Sequence, residues 1–262
     1  MLHLLIATLT EAKPLINTFK LKKKNFHEFH IYINKNKNIS LTITGIGKIN
    51  SSAATSYTAM IFNRCKNNVW LNIGICGHKT FHRGEIFLVN KVIDQSSEKV
   101  WYPSINFKTN IKQATCLTVD KITNYDKNLL DMELSGIQQS SLKFSTIEFI
   151  HSLKIVSDNE KQSIFESKNE ITKLINKKLN IIENFIINIS ILNDKMHENK
   201  GLISSIFKLL KKQGHKKDYI NKITYLLKRI ELYNGKVART KIIELINNKS
   251  NLVTFLNFKK IS

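Results

Sequence analysis

Two acidic residues stand where the pattern of the sequence predicts the end of one element or the start of another. Glu133 follows Met132 where a helix is expected to begin, and Asp158 ends an apolar run that predicts a buried strand. One such carboxyl group can protonate a leaving base while the other stabilises a cationic sugar. Because a purine leaves its sugar only with both kinds of help, we identify this pair as a candidate catalytic centre.

The elements that must position these acids alternate along roughly the first 160 residues, where short apolar runs are followed by helix-like stretches. This alternation predicts an α/β fold, with a sheet covered on both faces. Helices are predicted over residues 10–19 and 49–65, and one long amphipathic helix is predicted over residues 167–192. The predicted strands cover residues 2–8, 27–34, 39–44, 69–75, 85–95, 116–119 and 149–156, the second and third forming a hairpin.

The character of the chain changes near its end, and we interpret residues 1–192 as one domain and residues 193–262 as a basic helical extension. Helices are predicted at residues 202–212, 218–233 and 237–247, with Gly201, Gly214 and Gly235 between them. Their lysines could follow phosphates while their tyrosines stack on bases. They could equally pack on the domain and leave the lysines in water. We favour packing, because the extension has no recognised DNA-binding motif.

The formal net charge of +21 on 262 residues has two explanations. Such a charge ordinarily points to nucleic acid or another anionic surface. Heavy use of Lys, Asn and Ile, whose codons are rich in A and T, explains it without any polyanionic partner. We favour the compositional explanation. A hydrophobic fraction of 42% is enough to fill a core, which argues against disorder throughout.

Cysteine usage and hydropathy indicate the cellular compartment. The three cysteines, Cys65, Cys76 and Cys116, are widely spaced and form no C-x-x-C pair, which fits reduced thiols in the cytoplasm. The apolar start of the chain is short and lacks a basic region, so we expect a first core strand there rather than a signal peptide. No apolar run reaches the length of about 18 residues that a transmembrane helix needs, so we expect a soluble protein.

Five blocks of sequence, taken in order, resemble one superfamily. The blocks are residues 43–54, 71–77, 84–86, 131–136 and 157–158. Their order and approximate spacing resemble those of the purine nucleoside phosphorylases and methylthioadenosine/S-adenosylhomocysteine nucleosidases. The resemblance implies a three-layer α/β/α sandwich around a central mixed, partly barrel-like sheet. The basic helical extension at residues 193–262 comes in addition to this fold. It also implies a homodimer that acts on a nucleoside without metal or organic cofactor.

The resemblance also implies roles for individual residues. Residues 10–15 resemble the nucleosidase branch, in which Glu11 is the base that activates water. Asp158 corresponds to the acid that protonates N7 of the purine, while Met132 and Glu133 correspond to the pair that holds the ribose. The loop that lines the purine corresponds to a segment that contains Thr118, Asp120, Ile122 and Thr123.

The chain departs from the pattern of the superfamily at two places near the expected site. Ile75 and Cys76 stand between Gly74 and Gly77, where nucleosidases usually have a small residue. We expect Ile75, Cys76 and Gly77 to line the substrate site. Lys154, which we expect to bind substrate, stands four residues before Asp158, where many relatives have arginine. Lysine keeps the charge but lacks the two-pronged geometry of a guanidinium group.

Other interpretations of these residues and of the whole chain stay open at this point. Asp158 could simply cap the next helix, and Glu11 could simply stabilise the positive end of a helix. His78 and His82 have the spacing of metal ligands on a helix, but the nearby glycines favour a loop, so we expect no metal.

Two alternative functions stay open for the whole chain. One is a phosphorylase, and the other is a degenerate nucleoside-binding module whose basic helices bind nucleic acid or protein. Hydrolysis is favoured over phosphorolysis because no arginine set lies near residues 45–48.

Overall fold

The computed structural model describes residues 1–24, 26, 28–62, 68–121, 124–162 and 168–223. Contacts within the chain divide it into two compact units, Met1–Ser190 and Ile191–Ser262. In the described part, no helix is long and apolar enough to cross a membrane.

A mixed sheet of ten strands forms the centre of the first unit. The strands are β1 (Leu2–Ile6), β2 (Lys22–Lys24), β3 (Ile31–Ile33), β4 (Ile39–Ile43), β5 (Val69–Gly77), β6 (Ile86–Asp94), β7 (Val100–Trp101), β8 (Lys112–Thr118), β9 (Leu129–Asp131) and β10 (Ile150–Asp158). The helices are α1 (Leu9–Thr18), α2 (Lys48–Ile61), α3 (Leu134–Ser141), α4 (Lys168–Asn176) and α5 (Leu179–Lys212), with a short 3₁₀ helix at Ile147–Phe149.

Part of the sheet closes on itself. Strand β5 pairs with β10, which continues through β6, β8 and β9 back to β5. Strands β1, β4, β3 and β2 extend from the other edge of β5. Parallel and antiparallel pairs both occur, so the predicted mixed, partly barrel-like sheet is confirmed.

The strand predictions identify most of the strands and miss three short ones. All seven predicted strands are present, and β3 and β4 form the predicted antiparallel hairpin. The sequence missed β2, β7 and β9, which have only three, two and three residues. In β2 the residues are three exposed lysines, so no apolar alternation marks the strand. His27, within a predicted strand, lies outside the described residues.

The prediction of a single helix over residues 167–192 is wrong. The structure has α4 and α5 instead, separated at residues 177–178, where the Lys178 amide donates to the Ile175 carbonyl. Periodicity missed this break because buried side chains continue across it, as Ile175 and Ile182 show.

Glycine proved an unreliable marker of helix ends in this part of the chain. Helix α5 continues through Gly201, where a break was expected, because a single glycine costs a long helix only about 1 kcal/mol. Gly214 does follow the end of α5, in a left-handed conformation with φ of +76°. The predicted helix at 237–247 and Gly235 lie outside the described residues.

Helices α2 and α3 approach each other closely at Gly136. A β-carbon at Gly136 would lie 2.2 Å from the Lys48 carbonyl oxygen, and 2.9 Å from the Ser51 hydroxyl. The same Ser51 hydroxyl donates to the carbonyl of Glu133 over 2.9 Å. The absence of a side chain at Gly136 therefore brings the start of α2 against Glu133.

We expect Gly136→Ala to lower the free energy of unfolding by about 1–3 kcal/mol, because the new methyl group overlaps a backbone carbonyl that cannot rotate away. Urea denaturation measures this loss. Gln139→Ala is the matched control on the exposed face of α3, with an expected change within about 0.5 kcal/mol. Equal stability of the two variants would contradict the close approach of the helices.

Candidate active site

A cavity of about 390 Å³ lies where the parallel strands β1, β5 and β10 end. This edge is the usual place for ligands in α/β sheets, and the volume lies within the usual range for small-molecule sites. The cavity is lined by Ala7, Thr8, Glu11, Ile46, Ile75, Cys76, Gly77, Asn124, Tyr125, Leu130, Asp131, Met132, Glu133, Ser157 and Asp158.

Four carboxyl groups from three parts of the chain meet in this cavity. Asp158 ends β10, Glu11 belongs to the first turn of α1, and Asp131 and Glu133 bracket the junction of β9 with α3. Among the described residues, no lysine or arginine lines the cavity. The two acids singled out from the sequence, Asp158 and Glu133, therefore share one strongly acidic hollow.

Asp158 is held by two hydroxyl groups. The Tyr125 hydroxyl donates to Oδ2 over 2.8 Å, and the Ser157 hydroxyl donates to Oδ1. The alternative that Asp158 only caps the following turn does not fit these contacts. That role belongs to Asn159, whose side-chain oxygen accepts the amides of Lys161 and Gln162, each over 2.9 Å.

Glu133 is buried at the N-terminal end of α3, as the sequence predicts. The Gly47 amide donates to its Oε1 over 2.9 Å, and Gly47 has a φ of +95°, which favours glycine. Burial, followed by the negative charge of Asp131, raises the pKa of Glu133. A neighbouring cation would therefore interact strongly with this poorly solvated carboxylate.

Glu11 both caps helix α1 and lies on the wall of the cavity. Its Oε2 accepts the Thr8 amide over 2.9 Å, which completes a reciprocal capping box at the start of α1. Its Oε1 accepts the Ile75 amide over 3.1 Å, so the same carboxylate also lies on the cavity wall. Helix capping thus fixes the orientation of a side chain that can act on a ligand.

Lys154 does not line the cavity, although it was expected to bind substrate. It is 1% exposed, and its ammonium nitrogen lies 2.7 Å from Asp131 Oδ2. Burial is the strongest single influence and opposes the charge on Lys154, but the combined effect of its neighbours, led by the carboxylate of Asp131, raises the pKa of the lysine. The two side chains therefore form a buried ion pair behind the cavity wall.

Gly74 provides the space for this pair. A β-carbon at Gly74 would lie 3.4 Å from both Lys154 Nζ and Glu11 Oε1. Lys154 is also the register partner of Gly74 in the pairing of β10 with β5. The small residue in the middle of β5 thus lets a cation and a carboxylate approach the strand side by side.

The two residues that depart from the family pattern occupy different surroundings. Ile75 contributes its amide to Glu11, as described above. Cys76 is buried and packs in the hydrophobic core beside Val156. Burial raises the pKa of its thiol, so Cys76 is protonated at neutral pH and is a poor nucleophile. Cys76 and Cys116 are both free thiols, and Cys65 lies outside the described residues.

Two of the residues expected in the loop that lines the purine, Thr118 and Asp120, do not line the cavity. Thr118 is buried and donates to Asp131 over 2.7 Å, while Asp120 pairs with Lys48 over 2.9 Å. Ile122 and Thr123 lie outside the described residues. Asn124 and Tyr125, which follow them, line the cavity. No pattern in the sequence marks Tyr125, since a single tyrosine in a polar loop has no informative spacing.

His78 forms a hydrogen bond with the loop that contains Tyr125. Its Nδ1 accepts the amides of Thr80 and Phe81, so Nε2 carries the proton that it donates to the Lys127 carbonyl over 3.0 Å. Burial lowers the pKa of His78, which keeps the ring neutral. Both ring nitrogens are thus occupied, and the described residues contain no group of three side chains placed to bind a metal ion.

A second cleft of about 500 Å³ lies beside α2 and α3. The carboxylate that lines it is already engaged: Lys48 contacts Asp94 over 3.4 Å, and Asp94 also accepts the Ser135 hydroxyl over 2.6 Å. Because its only described carboxylate is engaged in this way, we place the candidate active site in the smaller, acid-lined cavity.

Solved structures of nucleosidases have the same arrangement of elements. 5′-Methylthioadenosine nucleosidase of Arabidopsis thaliana matches with a TM-score of 0.58 and 18% identity, over 71% of this chain and 95% of that one. 5′-Methylthioadenosine/S-adenosylhomocysteine nucleosidase of Helicobacter pylori, solved with butyl-thio-DADMe-Immucillin-A, gives 0.60 and 14%, over 71% and 97%. The Campylobacter jejuni nucleosidase gives 0.56 and 17%, over 72% and 97%.

The chain has the fold of the methylthioadenosine/S-adenosylhomocysteine nucleosidases. The resemblance seen in five blocks of sequence is thereby confirmed at the level of the fold. No protein-family model and no curated protein sequence matches the chain.

We expect Lys154→Met to lower the free energy of unfolding by about 3–5 kcal/mol, because Asp131 would keep a buried charge without its counter-charge. Lys112→Met is the matched control: it removes an exposed ion pair with Glu85, worth about 0–1 kcal/mol. Urea denaturation compares the two variants. A similar small loss for both would show that the buried pair contributes no more than a surface contact.

Proposed function

We propose that this protein is an N-ribosyl hydrolase that cleaves the N-glycosidic bond of a purine nucleoside or 5′-thionucleoside with water. The observation that carries the proposal is the convergence of Asp158, Glu133 and Glu11 on one cavity. The nucleosidase fold supports the same reaction class.

In the proposed reaction, Asp158 acts on the departing base. Its carboxyl group gives a proton to N7 of the purine, which draws electrons from the glycosidic bond. The base then leaves as a neutral molecule. The position of Asp158 at the end of β10, on the wall of the cavity, supports this assignment.

Glu133 and Met132 act on the sugar. As the bond to the base breaks, the ribose gains positive charge, and a carboxylate held in a poorly solvated site stabilises that charge. Glu133 also accepts a hydrogen bond from a sugar hydroxyl, while the thioether of Met132 packs on the sugar face. Both side chains line the cavity next to each other.

Glu11 completes the reaction as the base. Its carboxylate takes a proton from the water that attacks the anomeric carbon. Three hydrogen bonds from Thr8 and Ile75 hold its oxygens in place, so the carboxylate needs little reorganisation when water arrives. The protons gained by Glu11 and lost by Asp158 balance, and solvent restores both groups. The proposed reaction uses no metal ion or organic cofactor.

The charge of the cavity favours water over phosphate as the second substrate. Phosphorolysis needs a cationic cradle for a dianion, whereas the described cavity residues include four carboxyl groups and no lysine or arginine. Lys48, which directly follows Gly45, Ile46 and Gly47, is already paired with Asp94 and Asp120.

We also propose, from the family resemblance alone, that the protein is a cytoplasmic homodimer.

The direct test is incubation of the purified protein with methylthioadenosine or adenosine, with and without inorganic phosphate. We expect free adenine and free sugar in the absence of phosphate. Release that depends on phosphate would instead identify a phosphorylase. Absence of adenine release under both conditions would exclude both enzymes and favour a nucleoside-binding module.

We expect Asp158→Asn and Glu11→Gln each to lower kcat/KM by about 10²–10⁴-fold, because each removes a proton-transfer group. Glu160→Gln is the control, since Glu160 is an exposed acid that pairs with Lys79. Steady-state kinetics on the preferred nucleoside measures the effect. An Asp158→Asn variant as active as Glu160→Gln would remove Asp158 from the mechanism.

We expect Glu133→Gln to lower kcat/KM by about ten- to hundredfold, because it loses a charge-assisted contact with the sugar. The wild-type rate should fall toward low pH, as Glu133 gains a proton above the ordinary range for glutamate, and the part of the acid limb that Glu133 causes should disappear in the variant. Kinetics as a function of pH measures both effects.

The same variant has an opposite effect on stability. Because the pKa of Glu133 is raised in the folded protein, its ionised form destabilises the fold at high pH. Glu133→Gln should therefore melt at the same or a higher temperature than wild type at pH 8, and the advantage should shrink as the pH falls through that raised pKa. A clearly lower Tm at pH 8 would show that the carboxylate stabilises the fold.

A further inference from the structure

Tyr125 stands out among the cavity residues because it contacts the proposed proton donor directly. Its hydroxyl donates to Asp158 Oδ2 over 2.8 Å, and Ser157 occupies the other oxygen. The two residues come from different parts of the sheet, since Tyr125 lies between β8 and β9 while Asp158 ends β10. Neither the family resemblance nor any sequence motif pointed to this contact.

The surroundings of Tyr125 hold its ring in place. A β-carbon at Gly77 would lie 3.0 Å from the ring and 3.1 Å from Asp158 Oδ2, so the absence of a side chain there admits both groups. The two residues that follow the tyrosine anchor its loop. The Lys79 amide donates to the Asp126 carbonyl over 3.0 Å, and His78 donates to the Lys127 carbonyl. The contact between Tyr125 and Asp158 therefore depends on Gly77, the last residue of β5.

Tyr125 does not fill the cavity. The volume of about 390 Å³ is present with the phenol ring in its bonded position, and Tyr125 forms part of the wall. Each carboxylate oxygen has two lone pairs, so Asp158 can accept from Tyr125 and still face a ligand with its other acceptor positions. A base can therefore approach Asp158 while the tyrosine stays in contact with it.

We propose that Tyr125 is a positioning residue for the proton transfer, orienting the Asp158 carboxyl group and stabilising the carboxylate that forms when its proton passes to the base. The proposal rests on the proposed function, because it assigns Tyr125 a role in that reaction.

The step balances without any further reactant. The O–H bond of the Asp158 carboxyl group breaks, an N–H bond forms on the purine, and the electron pair stays on the Asp158 oxygens. The electron pair of the glycosidic bond goes to the base, and water supplies the new bond to the sugar. The Tyr125 hydroxyl keeps its own proton throughout, and its hydrogen bond strengthens as charge develops on Asp158.

The groups around Asp158 are consistent with Tyr125 as its main partner. Burial, together with the hydrogen bond to Asp158, raises the pKa of Tyr125 to about 12, so the phenol remains a donor at every working pH. The other titratable groups that face Asp158 or share its cavity are Cys76 from β5, Glu11 from α1, and Asp131 and Glu133 from the β9–α3 junction, with Lys154 on β10 itself paired to Asp131.

The test compares Tyr125→Phe with wild type on the nucleoside that wild type hydrolyses. Phenylalanine keeps the ring against Gly77 and removes only the hydroxyl. We expect kcat to fall about ten- to hundredfold while KM changes less than about threefold, since the proposal assigns the hydroxyl to Asp158 rather than to the substrate. We also expect the alkaline limb of the kcat profile to move upward, because the carboxylate that forms on Asp158 loses a hydrogen-bond donor.

Tyr57→Phe is the matched control. Tyr57 also donates its hydroxyl to a carboxylate, that of Glu28, but on the exposed side of α2 away from the cavity. We expect its kcat, KM and pH profile to equal those of wild type. Thermal melting of both variants separates a loss of fold from a loss of proton transfer, and the position of the alkaline limb does not depend on the amount of folded enzyme.

Each outcome has a distinct meaning. Activity in wild type, with kcat and alkaline limb of Tyr125→Phe equal to those of Tyr57→Phe, overturns the role of Tyr125 and leaves the proposed function intact. A faster Tyr125→Phe enzyme with a lower KM also overturns it, since the tyrosine would then obstruct the base. No adenine release by wild type overturns the proposed function itself.

Discussion

The buried ion pair between Lys154 and Asp131 connects the two strands that carry the candidate catalytic acids. Lys154 precedes Asp158 by four residues on β10, and Asp131 precedes Glu133 by two residues at the end of β9. Both strands flank β5, and the pair crosses it where Gly74 has no side chain. A buried pair is weak support for stability in general, but it fixes the relative position of its partners. Here that position determines whether the two acids face one cavity.

Local electrostatics in this protein are opposite to its overall charge. The chain has a formal net charge of +21, yet the described wall of the cavity contains four carboxyl groups and no lysine or arginine. The overall charge, which suggests a polyanionic partner, therefore gives no guidance about the ligand of the cavity. An acidic hollow is suited to a ligand that becomes cationic, as a ribosyl group does when its base departs.

The sequence contains much of the fold and the two acids, but not the contacts that organise them. Buried strands such as β5 and β10 are long and apolar, so their positions could be predicted, as could Asp158 at a strand end. Short or exposed strands such as β2 lack that pattern, and the break between α4 and α5 leaves the apolar stripe intact. The partner of Lys154 and the role of Tyr125 depend on which strands become neighbours, which no local pattern specifies.

The central claim is that Asp158 and Glu133, from different strands of the sheet, act on one ligand in the same cavity. A crystal structure with an unreactive purine nucleoside analogue tests it most directly. We expect N7 of the base within about 2.6–3.2 Å of an Asp158 oxygen, and a ribose hydroxyl at a similar distance from Glu133. An analogue bound in the cleft beside α2 and α3, or bound with its base turned away from Asp158, would contradict the claim.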